Sequence, residues 1–385
     1  MMLKPNDCKI EVLARLVLAQ DAVETPLASE RLRGVPIYDC RALRPRLVAE
    51  PGLREQLQAE WVDVFARGAG VLALRGAYAD LGLIDEATVQ FRALIDAEKR
   101  AGTGGGDHFA KPGANDRVWN ALEKLCLRDP TLFAAYYAND IVDMVSEAWL
   151  GPAYQITSQI NCVNPGGTAQ MAHRDYHLGF MMPAEAARYP AHVHTALSPM
   201  LTLQGAVAHV DMPLVSGPTL YLPHSQKYPP GYMAPGRLEF QTFFDEHHVQ
   251  LPLAKGDAMF FNPALLHAAG NNRSSDILRL ANLLQVSSAF GRAMEAVNRV
   301  AMSEALYPAL LTAVSSGKLT RAQAGLSIKA CAEGYAFPTN LDRDPPIGGL
   351  APQSQQGLMA QALDESWDAV RFATALQARA QCQRT

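Results

Sequence analysis

The sequence predicts an α+β chain in which a β core of sandwich or barrel type is preceded by helices and followed by a helical tail. Three observations predict it. Apolar residues recur at helical spacing across much of the region from residue 53 to residue 149. Between Tyr154 and Ser288 the chain breaks into short apolar or alternating runs separated by Gly and Pro. Beyond about residue 290 the helical spacing returns and becomes polar at the end.

In LREQLQAEWVDVFAR (53–67), Leu53, Leu57, Trp61, Val64 and Phe65 share one helical face. Glycines at 68 and 70 stop that helix, and VLAL (71–74) reads as a short strand. A second helix is expected over about 85–100, with Asp85 as its N-cap. The glycine-rich AGTGGGDHFAKPGANDR lacks the Lys-Ser/Thr ending of a phosphate-binding loop and reads as a mobile loop beside a pocket. Residues 118–149 return to helical spacing. YQITSQINCV, MLTLQGAVAHV, TLYLP, VQLPL, AMFF and ILRLANLLQVS are the strands of an antiparallel core. The organisation expected is a single domain over 1–385: helical support at 50–150, β core at 151–290 and helical extension at 291–385.

Composition narrows the function classes. With 49% hydrophobic and 19% charged residues the chain can bury a core and is not disordered. A net charge of −4 and the lack of a Lys/Arg run argue against nucleic acid as a partner. Six scattered cysteines contain no CxxC pair, which fits a reducing cytosol and no zinc ribbon. The N-terminal stretch has no long apolar leader core, and no run approaches the roughly 18 apolar residues of a membrane span. A cytoplasmic location and no membrane partner are therefore expected.

Nine of the ten histidines lie within the β-rich segment. His173-Arg174-Asp175 is an H-x-D, and on an extended strand residues i and i+2 point to the same face, so both side chains can reach one ion. Two His and one carboxylate on one octahedral face is the arrangement of non-haem Fe(II) oxygenases. An isolated H-x-D is ordinarily a surface pair. His209-Val210-Asp211 is a second H-x-D, and His192-Val193-His194 has the same spacing. Periodicity does not choose among them.

Three stretches together resemble the phytanoyl-CoA dioxygenase family of Fe(II)/2-oxoglutarate oxygenases: SQINCVNPGG…MAHRDYH, VDMPLVSGPTLYLPHSQKY and KGDAMFFNPALLHAAGNNRSSDILRLANLLQVS. The third carries a Gly-Asp turn, a strand, a distal His, a Gly-x-Asn loop and a basic strand in the family's order. The second departs from the family's Gly-Ser-His after its proline, having His224-Ser225-Gln226 after Pro223. The resemblance covers roughly residues 60–290. It implies a double-stranded β-helix (jelly-roll) core, a metal triad of His173, Asp175 and His267, and Arg279 as the partner of the far carboxylate of 2-oxoglutarate. It also implies that Asp211 belongs to a structural turn. Asn161, Gln159 and Gln204 are expected to offer hydrogen bonds to the cosubstrate. Tyr176 and His177, and Lys111, Arg117 and Trp119 from the loop and its exit, are expected to contact substrate.

Arg279 sits in an apolar run beside Leu278 and Leu280, and a buried guanidinium needs an anionic partner. A protein carboxylate and a bidentate cosubstrate carboxylate both meet that need. The implied cofactors are Fe(II), 2-oxoglutarate and O2. The implied activity is oxidation, with hydroxylation foremost, of an unactivated C–H in a small molecule, with release of succinate and carbon dioxide. Asp175 stands where related halogenases carry a small residue, which favours hydroxylation over halogenation. Two alternatives stand beside this reading: a cupin-like metal isomerase or dioxygenase built on His192 and His194 without 2-oxoglutarate, and a β-sandwich binding module without metal. The C-terminal tail is expected to cap the active site, with a homodimer contact as the other assignment.

Overall fold

The computed structural model describes residues 1–19, 23–106, 113–168, 170–336 and 340–384. Among the described residues, eleven strands form two sheets. They are β1 (Glu30–Leu32), β2 (Val35–Asp39), β3 (Val71–Arg75), β4 (Asn115–Val118), β5 (Gln155–Val163), β6 (Thr202–Ala208), β7 (Leu220–Tyr221), β8 (Val249–Gln250), β9 (Ala258–Phe261), β10 (His267–Ala268) and β11 (Arg279–Ser287). The major sheet runs β1-β2-β3-β9-β6-β11-β5-β4, and the minor sheet runs β10-β7-β8. All pairs are antiparallel except β2 with β3, which the helices Cys40–Ala49 and Leu53–Ala66 connect. A parallel pair needs such a crossover.

The six expected core strands all form. The sheet also begins well before residue 151, because β1 to β4 extend the major sheet on both edges. The region 50–150 is therefore mixed. Asn115 to Val118 are polar in sequence, yet they pair with β5 because their backbone, and not an apolar face, does the joining. The second helix starts a turn earlier than expected, at Leu81, because the Asp80 carboxylate accepts from the amides of Gly82 and Leu83.

The major sheet is buried on both faces, and alternation along its strands divides the molecule. On β11, Leu280, Leu284 and Val286 face a helical layer, together with Ile156 and Ile160 of β5 and Leu203 and Val207 of β6. Arg279, Ala281, Leu283 and Gln285 face the opposite way, into a cavity closed by the minor sheet. Near its closed end, Val71 and Phe261 of the major sheet pack against Tyr221 of the minor one. A third apolar cluster joins the N-terminal helix Ile10–Ala19 to the loop around Tyr228 and to helix Leu238–His247.

The C-terminal helices Arg299–Ser315, Arg321–Cys331, Gln355–Asp364 and Ala369–Cys382 belong to the helical layer. Met302, Leu306 and Tyr307 are buried there, and Ser327 Oγ donates to the Ala134 carbonyl at 2.6 Å. This corrects the expected cap. The tail lies behind the major sheet, and among the described residues beyond 290 only Met294, in the connection to these helices, reaches the cavity. The apolar stripe of the tail matches the large outer face of the sheet's helices, so burial draws it there.

On the helix side, the rival H-x-D has a structural role. The His209 ring lies between Thr88 Oγ1 and the Tyr136 hydroxyl, each at 2.8 Å. The Thr88 hydroxyl is already donating to the Ile84 carbonyl, so His209 Nδ1 donates and Nε2 accepts from Tyr136. The ring is thus neutral, and burial pushes it down to about 3. Asp211 accepts from the Lys255 amide in a turn.

Two outcomes are expected. The unfolded chain takes up the His209 proton near pH 6.5 and the folded chain does not. Stability from this group is therefore complete above pH 6.5 and lost as pH falls toward 3, at about 1.4 kcal/mol per pH unit. Urea unfolding of the metal-free protein at pH 7, 6 and 5 should show a steeper loss for wild type than for His209→Gln, and parallel slopes would contradict the assignment. Truncation after Asn298 should strip the helical layer, lowering the thermal midpoint by roughly 10 °C or more, or giving aggregation. A truncated chain that melts like the full one would contradict this packing.

Candidate active site

The H-x-D lies on a loop after β5, and the distal histidine opens β10. Backbone pairing joins them: the His173 amide donates to the His267 carbonyl at 3.0 Å and the His267 amide to the His173 carbonyl at 3.1 Å. The imidazole Nε2 atoms of His173 and His267 each lie 3.4 Å from an oxygen of Asp175. One donor atom from each of the three residues falls within 4.8 Å of the other two, and among the described residues this is the single such cluster of three.

The tautomers follow from the surroundings. His173 Nδ1 lies 2.8 Å from the Met171 carbonyl, and His267 Nδ1 lies 2.9 Å from the Leu265 carbonyl. A carbonyl only accepts, so both Nδ1 atoms carry a proton, and each ring turns its Nε2 toward the carboxylate as the atom available to a metal. Two His and one carboxylate gathered in this way suit iron in its divalent state. Burial works to raise the Asp175 carboxyl, but the two imidazoles and the Gln204 amide outweigh it and hold it below the usual carboxylate range.

Gln204 on β6 was expected to face the cosubstrate. Its Nε2 instead donates to Asp175 Oδ2 at 2.5 Å, while its buried Oε1 has no protein partner. It therefore orients the carboxylate, as residues behind metal ligands commonly do.

Arg279 lines the same cavity of about 340 Å³ and is 6% exposed. Its Nη1 approaches the Gly270 carbonyl at 3.5 Å, and no carboxylate among the described residues pairs with it. Burial lowers it to about 10, so it stays charged at neutral pH. Tyr221 lines the cavity as well, with its buried phenol held neutral and within reach of the Arg279 charge. Leu251, Leu253, Met259 and Phe261 give this end apolar walls.

Gln159 and Asn161 line the cavity from β5, where alternation turns them inward. Both already have protein donors: Arg117 to Gln159 Oε1, and Asn115 Nδ2 to Asn161 Oδ1 at 2.9 Å. Arg117 and Trp119 line the open end, with the guanidinium 4.7 Å over the indole. Lys111 lies outside the described residues. Phe180, Gln170 and Met294, which sequence reasoning did not single out, complete this end. None of them sits in a recognisable motif.

Tyr176 and His177 do not line the cavity, which corrects the expectation for both. Their φ angles of +63° and +39° turn the chain sharply after Asp175. The Tyr176 hydroxyl then donates to Gln285 Oε1 from beneath, and His177 Nδ1 lies 3.2 Å from Ser198 Oγ. His192 and His194 make no joint site either. They lie at the start of a helical turn, not on a strand, with His192 capping it and His194 inside it, and the buried His194 Nε2 faces the Ala186 carbonyl.

A family model described as phytanoyl-CoA dioxygenase (PhyH) matches residues 52–281. No curated protein matches the chain. Among solved structures, the chain is similar to the non-heme alpha ketoglutarate dependent epimerase SnoN from nogalamycin biosynthesis, at 20% identity and a TM-score of 0.45, over 62% of this chain and 85% of that one. It is also similar to the non-heme alpha ketoglutarate dependent carbocyclase SnoK from nogalamycin biosynthesis, at 20% identity and a TM-score of 0.44, over 61% and 86%. Likeness at this level assigns neither substrate nor reaction. The family match is of a different kind, since it takes in more than half of the chain, from the helix before β3 into β11. The chain belongs to the phytanoyl-CoA dioxygenase family of iron- and 2-oxoglutarate-dependent oxygenases.

Proposed function

We propose that the chain hydroxylates an unactivated C–H bond of a small molecule, with His173, Asp175 and His267 holding Fe(II) and Arg279 anchoring 2-oxoglutarate. The observation that supports this reading is Arg279: a buried guanidinium, open to the same cavity as the triad, with no carboxylate among the described residues to neutralise it. An unpaired buried charge is costly, and a planar guanidinium matches a carboxylate bidentately.

When bound, iron, 2-oxoglutarate and O2 supply the oxidising chemistry, and the cosubstrate leaves as succinate and carbon dioxide. The chain supplies position. Arg279 grips the far carboxylate, and the neutral Tyr221 phenol beside it is a further donor. Apolar walls at that end keep water from competing for the guanidinium. Gln204 fixes the Asp175 carboxylate, and the two backbone carbonyls fix the imidazole planes. The retained carboxylate at 175 supports hydroxylation over halogenation. Substrate enters past Phe180, Trp119 and Met294, whose surfaces suit an apolar or aromatic portion. Six free cysteines, five of them buried, support a cytoplasmic location.

Anaerobic titration with Fe(II) and then 2-oxoglutarate tests the reading. A weak visible charge-transfer band should appear and should be absent in His267→Ala. Arg279→Ala should raise the 2-oxoglutarate concentration needed for half-saturation by about 10- to 100-fold, the loss of a charge-assisted pair. Iron binding with no band would reject the cosubstrate assignment. Gln204→Leu should weaken Fe(II) binding by about 10-fold while leaving the 2-oxoglutarate requirement of the loaded protein nearly unchanged. The reverse pattern would place Gln204 on the cosubstrate.

A further inference from the structure

We infer that Arg174, the residue between two of the triad members, is a positioning residue that locks the two arms of the metal site to each other. The inference rests on the triad reading above. Arg174 is 2% exposed and points away from the side chains of its neighbours His173 and Asp175. Its Nη2 donates to the carbonyls of Ser225 at 2.6 Å and Tyr228 at 3.0 Å, and the guanidinium carbon lies 5.0 Å over the Tyr232 ring. No carboxylate among the described residues pairs with it.

The surroundings are shaped to this side chain. A Cβ on Gly231 would fall 2.0 Å from the guanidinium carbon, so that position takes no side chain while the Arg174 guanidinium stays in place. A buried cation held only by carbonyls and a ring face adds little to stability, and an apolar side chain of similar length would pack as well. Stability alone does not account for it.

Position does. Ser225 is a bracket: its carbonyl accepts from Arg174, and its Oγ accepts from the Leu266 amide at 2.8 Å, one residue before His267. The chain Arg174–Ser225–Leu266 therefore ties the H-x-D arm to the distal-histidine arm outside the metal site. The loop carrying the bracket is itself anchored. The Tyr228 hydroxyl accepts from the Lys9 amide at 2.7 Å and donates to the Lys9 carbonyl at 3.1 Å. This tie adds to the His173–His267 backbone pair and to the two bonds between the Ala172 backbone and Gln241, which hold the approach to the sharp turn at Tyr176 and His177.

The test uses the full chain with Fe(II) alone as probe, under anaerobic conditions, and amide hydrogen exchange of the metal-free protein. Arg174→Met should weaken Fe(II) binding by about 10- to 100-fold and speed exchange across residues 173–179, with the strands of the major sheet unchanged. Arg174→Lys keeps the charge but not the planar fork, and should recover part of the Fe(II) affinity. If Arg174→Met does not fold, Arg174→Lys decides on the same two readouts. Wild-type Fe(II) affinity in the variants, or faster exchange without weaker Fe(II) binding, would overturn the positioning role. A wild-type protein that binds no Fe(II) would overturn the triad reading first, and this inference with it.

Discussion

Two imidazoles and a carboxylate from two distant arms of the chain meet at one point, and the active site depends on the bonds that keep them there. Each imidazole is fixed by an Nδ1–H bond to the carbonyl two residues before it, and the carboxylate is fixed by Gln204. None of these bonds is strong alone, at about 1 kcal/mol net. Their value lies in direction, since together they aim two imidazole Nε2 atoms and one carboxylate at a single point.

The same logic of assigned faces runs through the major sheet. A sheet buried on both sides must decide, residue by residue, which polar groups meet helices and which meet the cavity. Toward the helices, the Tyr136 hydroxyl links His209 to Asn282 in one hydrogen-bonded chain. Toward the cavity, among the described residues, Arg279 has no carboxylate partner and Gln204 Oε1 no donor. Polar groups on one face serve cohesion, and those on the other are available to ligands. One residue's shift in register would exchange the two sets.

Much of this was legible beforehand. The six core strands, His267 and Arg279 stood out because the third motif stretch places them in order along continuous backbone. His173 and Asp175 were legible as a pair but not as the only pair. Alternation gives His209 and Asp211 the same spacing, and only the helical layer, supplied by distant sequence, shows that His209 faces away from the cavity. Tyr176 and His177 misled because the H-x-D was read as an extended strand continuing past Asp175, whereas positive φ angles break it at once. The tail misled because an amphipathic helix declares that it has an apolar face without declaring which surface covers it. Gln204 was legible as a cavity residue, but its bond to Asp175 was not, because periodicity gives the face of a strand and not the partner met there.

The backbone bridge between His173 and His267 has a further consequence for how the protein matures. The two partners are separated by about a hundred residues of chain, and most of the major and minor sheets must be in register before they meet. Contacts of such long range form late and slowly. A growing chain therefore exposes His173 and Asp175 long before His267 exists to complete the set, and a chelate of two donors holds metal weakly. On the proposed ligand set, full metal affinity waits for the His173–His267 bridge and so follows the assembly of the sheets.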